Sequence, residues 1–163
     1  MAAVLTVRVY TGATAGTESA AVTGIDLLGD ADNATNTLAN RQAHPIDAGS
    51  QSYEKWLKLK IDTPPANGVT TFQVWGDGAV QTSTTLFWTG AYVTGVTPTS
   101  GVSAKAATSF ATYTSGNKGS WDTNSYSATN ATTQFAIFQL AVDATCGPGN
   151  WGQETINYSY SET

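Results

Sequence analysis

Gln134 to Tyr160, QFAIFQLAVDATCGPGNWGQETINYSY, carries the clearest pattern of apolar and polar positions in the chain. Side chains alternate sides along a strand with a period of two. Phe135 and Ile137 then share one face, and Ala136, Phe138, Leu140 and Val142 share the other, with no charge before Asp143. A run that is apolar on both faces predicts a strand covered on both sides, and so a central one. Gly147, Pro148 and Gly149 break it. Ile156, Tyr158 and Tyr160 alternate with Thr155, Asn157 and Ser159, which predicts a last strand with one apolar face. Two strands across a Gly/Pro loop predict a hairpin, with the C-terminal residues part of the sheet.

The same period of two recurs upstream. Leu5, Val7 and Val9 predict a strand over residues 3–10. Tyr53, Leu57, Leu59 and Ile61 mark the apolar side of a second, YEKWLKLKI, with Lys58 and Lys60 facing solvent. Pro64 and Pro65 end it, because proline cannot donate to a ladder. Phe72 and Val74 predict a third strand over 70–75. TLFWTGAYV, residues 85–93, predicts a fourth, with Gly90 marking a bulge or a close approach. Residues 109–114 read as a short or edge strand. The polar stretch 115–133 reads as a long loop carrying Trp121 and Tyr126. About seven or eight strands with turn signals between them predict one domain over residues 1–163, an antiparallel β-sandwich, jelly-roll-like.

Residues 11–52 fit neither a strand nor a helix period. A structureless segment this long is uncommon in a compact domain and is usually functional or disordered. Val22, Ile25, Leu27, Leu28, Leu38 and Ile46 give it apolar anchor points, and Arg41 adds a charge. It is expected to be an extended arm that reaches outside its own sandwich. The bland alternative is a segment folded over its own domain.

Composition narrows the function classes. Charged residues make up only 12% of the 163 residues, against about 25% in an average protein. Many Thr and aromatic residues in their place favour β-structure. The net charge of −5 and the scatter of the seven Lys and Arg residues argue against nucleic-acid binding. No stretch approaches the roughly 20 apolar residues of a membrane span, and the N-terminus lacks the basic and apolar regions of a signal peptide. The single Cys146 excludes an intrachain disulfide.

Catalytic chemistry has little to stand on. His44 is the only histidine, no G-x-S-x-G is present, and no carboxylate pair, zinc spacing or phosphate loop occurs. No catalytic residue, cofactor or metal is therefore assigned. Asp30, Asp32 and Asn33 begin like a calcium loop, but that motif places Gly sixth and Glu twelfth, where this chain has Thr35 and Arg41. Turn formation is the simpler role for such residues. Trp75, Trp88, Trp121 and Trp151 with Tyr92 are the residues from which a carbohydrate-binding or adhesin-type sandwich would build a stacking platform. Trp121 and Trp151, expected in loops, serve equally as protein-interface anchors.

SQSYEKWLKLKI, then TTFQVW, then FAIFQLAVDATCGPGNWGQETINYSYSE together resemble small decoration, or cement, proteins of tailed-phage heads. In that group a Ser-Tyr-Glu-Lys-Trp/Tyr strand precedes a second strand ending in an aromatic. A Leu-Gln-Leu-type strand then leads through a Gly-rich turn to Tyr-x-Glu, matched here by Gln139-Leu140, Gly147 to Gly152 and Tyr160-Ser161-Glu162. The resemblance covers the C-terminal two-thirds. It implies a non-enzymatic virion protein on the capsid exterior, made in the host cytoplasm. It also implies a homotrimer that bridges subunits of the major capsid protein. On that reading Leu27, Leu28, Leu38, Arg41, Ile46, Trp121 and Trp151 are the interface residues.

Overall fold

The computed structural model describes residues 2–25, 27, 29, 31–32, 37–78, 83–100, 105–147 and 154–163. Its strands, among the described residues, are β1 (Val4–Thr11), β2 (Thr17–Glu18), β3 (Lys55–Thr63), β4 (Val69–Gly76), β5 (Thr84–Tyr92), β6 (Thr108–Ser109), β7 (Gly119–Asp122), β8 (Phe135–Val142) and β9 (Ile156–Glu162). Among the described residues one short α-helix, α1, spans Leu38–Ala43, and 3-10 turns lie at Ala13–Ala15 and Phe110–Thr112. The strands form an all-β sandwich. A six-stranded antiparallel sheet has the order β2-β1-β3-β8-β5-β6, and a three-stranded one the order β7-β4-β9. The six-to-three split differs from the eight strands and two Greek keys of a jelly roll.

The expected central strand is β8. It pairs with β3 through Lys55↔Phe138 and Leu57↔Ala136, and with β5 through Leu86↔Leu140 and Trp88↔Phe138. All of its residues except Ala141 are buried. Its two apolar rows enter two different layers. Ala136, Phe138 and Leu140 join Leu57, Leu59, Phe72, Trp88 and Trp121 between the sheets. Phe135 and Ile137 join Trp56, Ala15 and Ala106 on the outer face of the larger sheet. Loops cover that outer face, with Tyr92 and Phe135 meeting Trp56 edge-on at 5.3 and 5.0 Å.

The expected hairpin does not form. β8 and β9 lie in different sheets. β9 pairs with β4 instead, through Val74↔Tyr158 and Gly76↔Ile156. Its row of Ile156, Tyr158 and Tyr160 packs on the shared core from the opposite side. Glycine and proline mark where a strand stops, and they carry no information about which sheet the next strand joins.

The polar stretch 115–133 is not wholly a loop, because it contains β7. This overturns the placement of Trp121 as a loop-borne interface anchor. Trp121 is 1% exposed, and its indole N–H donates to the Gln134 carbonyl at 3.1 Å. The neighbouring Asp122 is fully buried. It accepts from the Tyr126 hydroxyl and the Gln134 N–H at 2.7 Å each, and from the Asn124 N–H at 2.9 Å. Burial and that bond to Asp122 push the Tyr126 phenol up to about 12. Gly90, read as a bulge or a close approach, is both. The β5–β8 register slips between Thr89 and Tyr92, and a Cβ at Gly90 would run into the Ser120 carbonyl of β7.

Candidate interaction surface

Three consecutive residues of β3 and its approach, Glu54, Lys55 and Trp56, are buried together. Buried charge is costly unless it is paired and hydrogen-bonded. Glu54 meets that condition with three donors. It accepts from Trp56 Nε1 at 2.9 Å, from Thr99 N at 3.2 Å and from Lys105 Nζ at 3.1 Å. The Lys105 ammonium also sits 5.7 Å from the centre of the Trp56 ring. The loop between β5 and β6 is thereby fastened over the outer apolar layer. Lys55 Nζ donates to the Ala31 carbonyl at 2.9 Å, and Tyr53 N donates to Gly29 O at 3.3 Å.

The segment 11–52 is therefore stitched to its own sandwich near both ends. Val22 bridges Val7 of β1, and Val22, Ile25 and Leu27 pack on the core between the sheets. Those three anchors cover the domain's own apolar surface and do not reach outside it, as the arm expectation had them do. The reason is geometric: the six-stranded sheet overhangs the three-stranded one and needs cover there. Asp32 accepts from the Gly12 N–H at 2.7 Å, so its carboxylate holds the arm to the end of β1. At the other end Ser52 exchanges bonds with Leu140 (Ser52 N to Leu140 O 2.8 Å; Leu140 N to Ser52 Oγ 3.0 Å), and Val142 N donates to Ser50 O at 2.9 Å.

Between these attachments, residues 37–50 are all exposed or half-buried. Thr37 caps α1 by accepting from Asn40 N at 3.1 Å. The helix buries none of its residues, and Leu38 at its first position is 65% exposed. Arg41 and Ile46 are half-buried, and His44, at the end of the helix, is exposed. Of the expected interface residues, Leu38 and Arg41 lie on α1 and Ile46 follows it in the same segment. Leu27 lies against the core, and Trp121 lies inside it. Leu28 and Trp151 lie outside the described residues, as does Asp30.

The aromatic platform does not assemble from the described residues. Trp88 and Trp121 are core, and Tyr92 meets Trp56 edge-on. Trp75 is half-exposed on the outer face of the smaller sheet, with Lys118 Nζ 4.4 Å from its ring centre. Among the described residues no group of three or more His, Cys, Asp or Glu side chains is placed to hold a metal ion. None of their helices is long and apolar enough to cross a membrane.

Sequence reasoning missed the Glu54 node and placed all charge near β3 in solvent. Lys55 is buried, and Lys58 lies over the Phe135 ring at 4.1 Å from its centre, with burial pushing its ammonium pKa down. The signal that was present is Glu-Lys-Trp at the start of an apolar strand, where alternation forces one of two adjacent charges inward. Comparison of the chain with protein-family models, curated proteins and solved structures returns no match.

Proposed function

We propose that the chain is a virion structural protein that decorates the outside of a tailed-phage capsid, bridging and stabilising subunits of the major capsid protein. On this reading it works as a homotrimer, without cofactor, metal or catalysis, after synthesis in the host cytoplasm. The observation that carries the proposal is the arm. It is fastened on both sides to a sandwich whose loops are themselves pinned, and it presents α1 with no buried residue and Leu38 in solvent. A rigid block that exposes an apolar side chain on a short helix is suited to bridging. Burying a leucine is worth roughly 1.5–3 kcal/mol, and symmetric repetition over a capsid multiplies such a contact into avidity. The SYEKW string that supports the resemblance is also the string that pins the arm, through Ser52, Tyr53 and Lys55.

The test is co-sedimentation with heads lacking the protein. Leu38→Asp, and a variant with residues 38–46 replaced by a Gly/Ser linker, keep the contacts at 11–32 and 49–52. Both are expected to stay folded and to lose head binding. Head binding equal to that of the parent would remove the arm from the mechanism.

One observation favours a second reading, carbohydrate binding: Trp75 lies on an outer sheet face beside Gln73, Asn157 and Ser159. Lys118 lies over that ring, so a sugar has to displace it. A glycan array separates the two readings, because a decoration protein binds heads and ignores glycans.

A further inference from the structure

Sheet edges offer unpaired backbone N–H and C=O groups to other strands, and proteins blunt them with short strands, lysine, proline, bulges or cover. In the larger sheet both edges, β2 and β6, are two-residue strands. In the smaller sheet the outer edge of β7 abuts β5, where Gly90 approaches Ser120 and Trp121 too closely for a side chain. Among the described residues β9 has none of these devices. It is seven residues long, INYSYSE, without Lys, Arg or Pro. The register slip in its ladder lies on the β4 side, at Thr71, whose φ is 56°. Among the described residues no strand pairs with its outer edge. Its inner row of Ile156, Tyr158 and Tyr160 remains half-buried although it packs on the core.

We infer that this edge is an interface between two copies of the chain, β9 against β9, antiparallel about a two-fold axis at Ser159. The alternating rows of β9 suit a second copy of itself, because a two-fold axis at a residue of the strand always sets like rows opposite each other. Cross-strand neighbours share a face, so inner residues must oppose inner residues. The axis at Ser159 sets Tyr158 opposite Tyr160 twice, Asn157 opposite Ser161, and Ile156 opposite Glu162. An axis at Tyr158 would instead set Glu154 opposite Glu162, a like-charge pair that destabilises. The Ser159 register joins two three-stranded sheets into one of six and completes the cover of the tyrosine row. A two-fold contact of this kind is isologous. It makes a dimer by itself and joins two trimers into a hexamer. The inference rests on the fold alone and stands independently of the capsid reading.

Sedimentation equilibrium of the full chain, with circular dichroism to check folding, tests it. The parent is expected to sediment as a dimer or a hexamer, and Ser159→Lys, which sets two ammonium groups across the axis, to halve that mass. A second test does not depend on weakening the contact. Residues opposed in an antiparallel ladder have Cα atoms about 4.5–5.5 Å apart, inside the range of about 4.4–6.8 Å that a disulfide spans. In a Cys146→Ser background, Ser159→Cys is expected to give a covalent dimer with copper–phenanthroline as the oxidant, and Tyr158→Cys is not. A parent that sediments as a monomer or a trimer, a folded Ser159→Lys with the parent's mass, or an Ser159→Cys chain that does not cross-link would each overturn the two-fold. Should Ser159→Lys not fold, the cross-link alone decides.

Discussion

Glu54 Oε1 lies 3.1 Å from Lys105 Nζ, and the Glu54 side chain is wholly shielded from solvent while Lys105 keeps 21% of its own exposed. The pair is therefore asymmetric. Removing the acid leaves the Trp56 indole N–H and the Thr99 N–H without their acceptor, and removing the base leaves the carboxylate its bonds from Trp56 and Thr99. Glu54→Ala is expected to destabilise the fold by roughly 3–5 kcal/mol. Lys105→Met is expected to cost about 1–3 kcal/mol. Urea denaturation measures both, and equal losses would mean that the node is held by something other than the carboxylate.

The central strand feeds two apolar layers, so truncation on either face of β8 leaves a cavity. Phe138→Ala in the layer between the sheets and Ile137→Ala in the outer layer are each expected to cost roughly 2–5 kcal/mol. Both side chains are fully buried. Parent-like melting of Ile137→Ala would show that the loops over the outer face are not a true core.

Much of this architecture was legible in the chain. The doubly apolar run from Phe135 to Val142 is what a strand between β3 and β5 requires, and the apolar rows of β1, β4 and β3 from Leu57 onward lie where the alternation put them. β7 was hidden because Asp122 follows Trp121, and a buried aspartate looks like loop until its partners Asn124, Tyr126 and Gln134 are placed around it. The β8–β9 hairpin was misread because local turn chemistry says nothing about sheet membership. The arm was half legible. Val22, Ile25 and Leu27 were recognisable as anchors, and their docking on the chain's own overhanging sheet depends on a six-to-three split that no local pattern encodes. Of the expected interface residues, Leu38 is exposed on α1 and Trp121 moves to the core.

Two glutamates give opposite dependences on pH. Burial raises the Glu154 pKa above its ordinary value of 4.5, so the folded state binds the proton more tightly than the unfolded one. That contribution is full below pH 4.5 and is lost as pH rises through the raised value. Glu154→Gln is therefore expected to raise Tm at pH 7 and to leave it nearly unchanged at pH 4. The Glu18 pKa is lowered, first by its hydrogen bond from Lys60. Its contribution is present above the ordinary value and is lost as pH falls through the lowered one, so Glu18→Gln is expected to lower Tm at pH 7 and to lower it progressively less as the pH falls below 4.5. Calorimetry across that range checks both signs.

Gly90→Ala is expected to destabilise by about 1–3 kcal/mol, since the added methyl meets the Ser120 carbonyl and the Trp88 ring. The neighbouring exposed Ala91→Ser serves as the control and is expected to melt near the parent. A neutral Gly90→Ala would show that β5 and β7 are free to separate.

The role on the capsid is tested most directly by the temperature at which DNA-filled heads lacking the protein release their DNA, measured with and without added chain. Bound chain is expected to raise that temperature, and chain with residues 38–46 replaced by a Gly/Ser linker is expected to leave it where it was. Heads that bind the parent chain and release their DNA at an unchanged temperature, or that never bind it, would contradict the account.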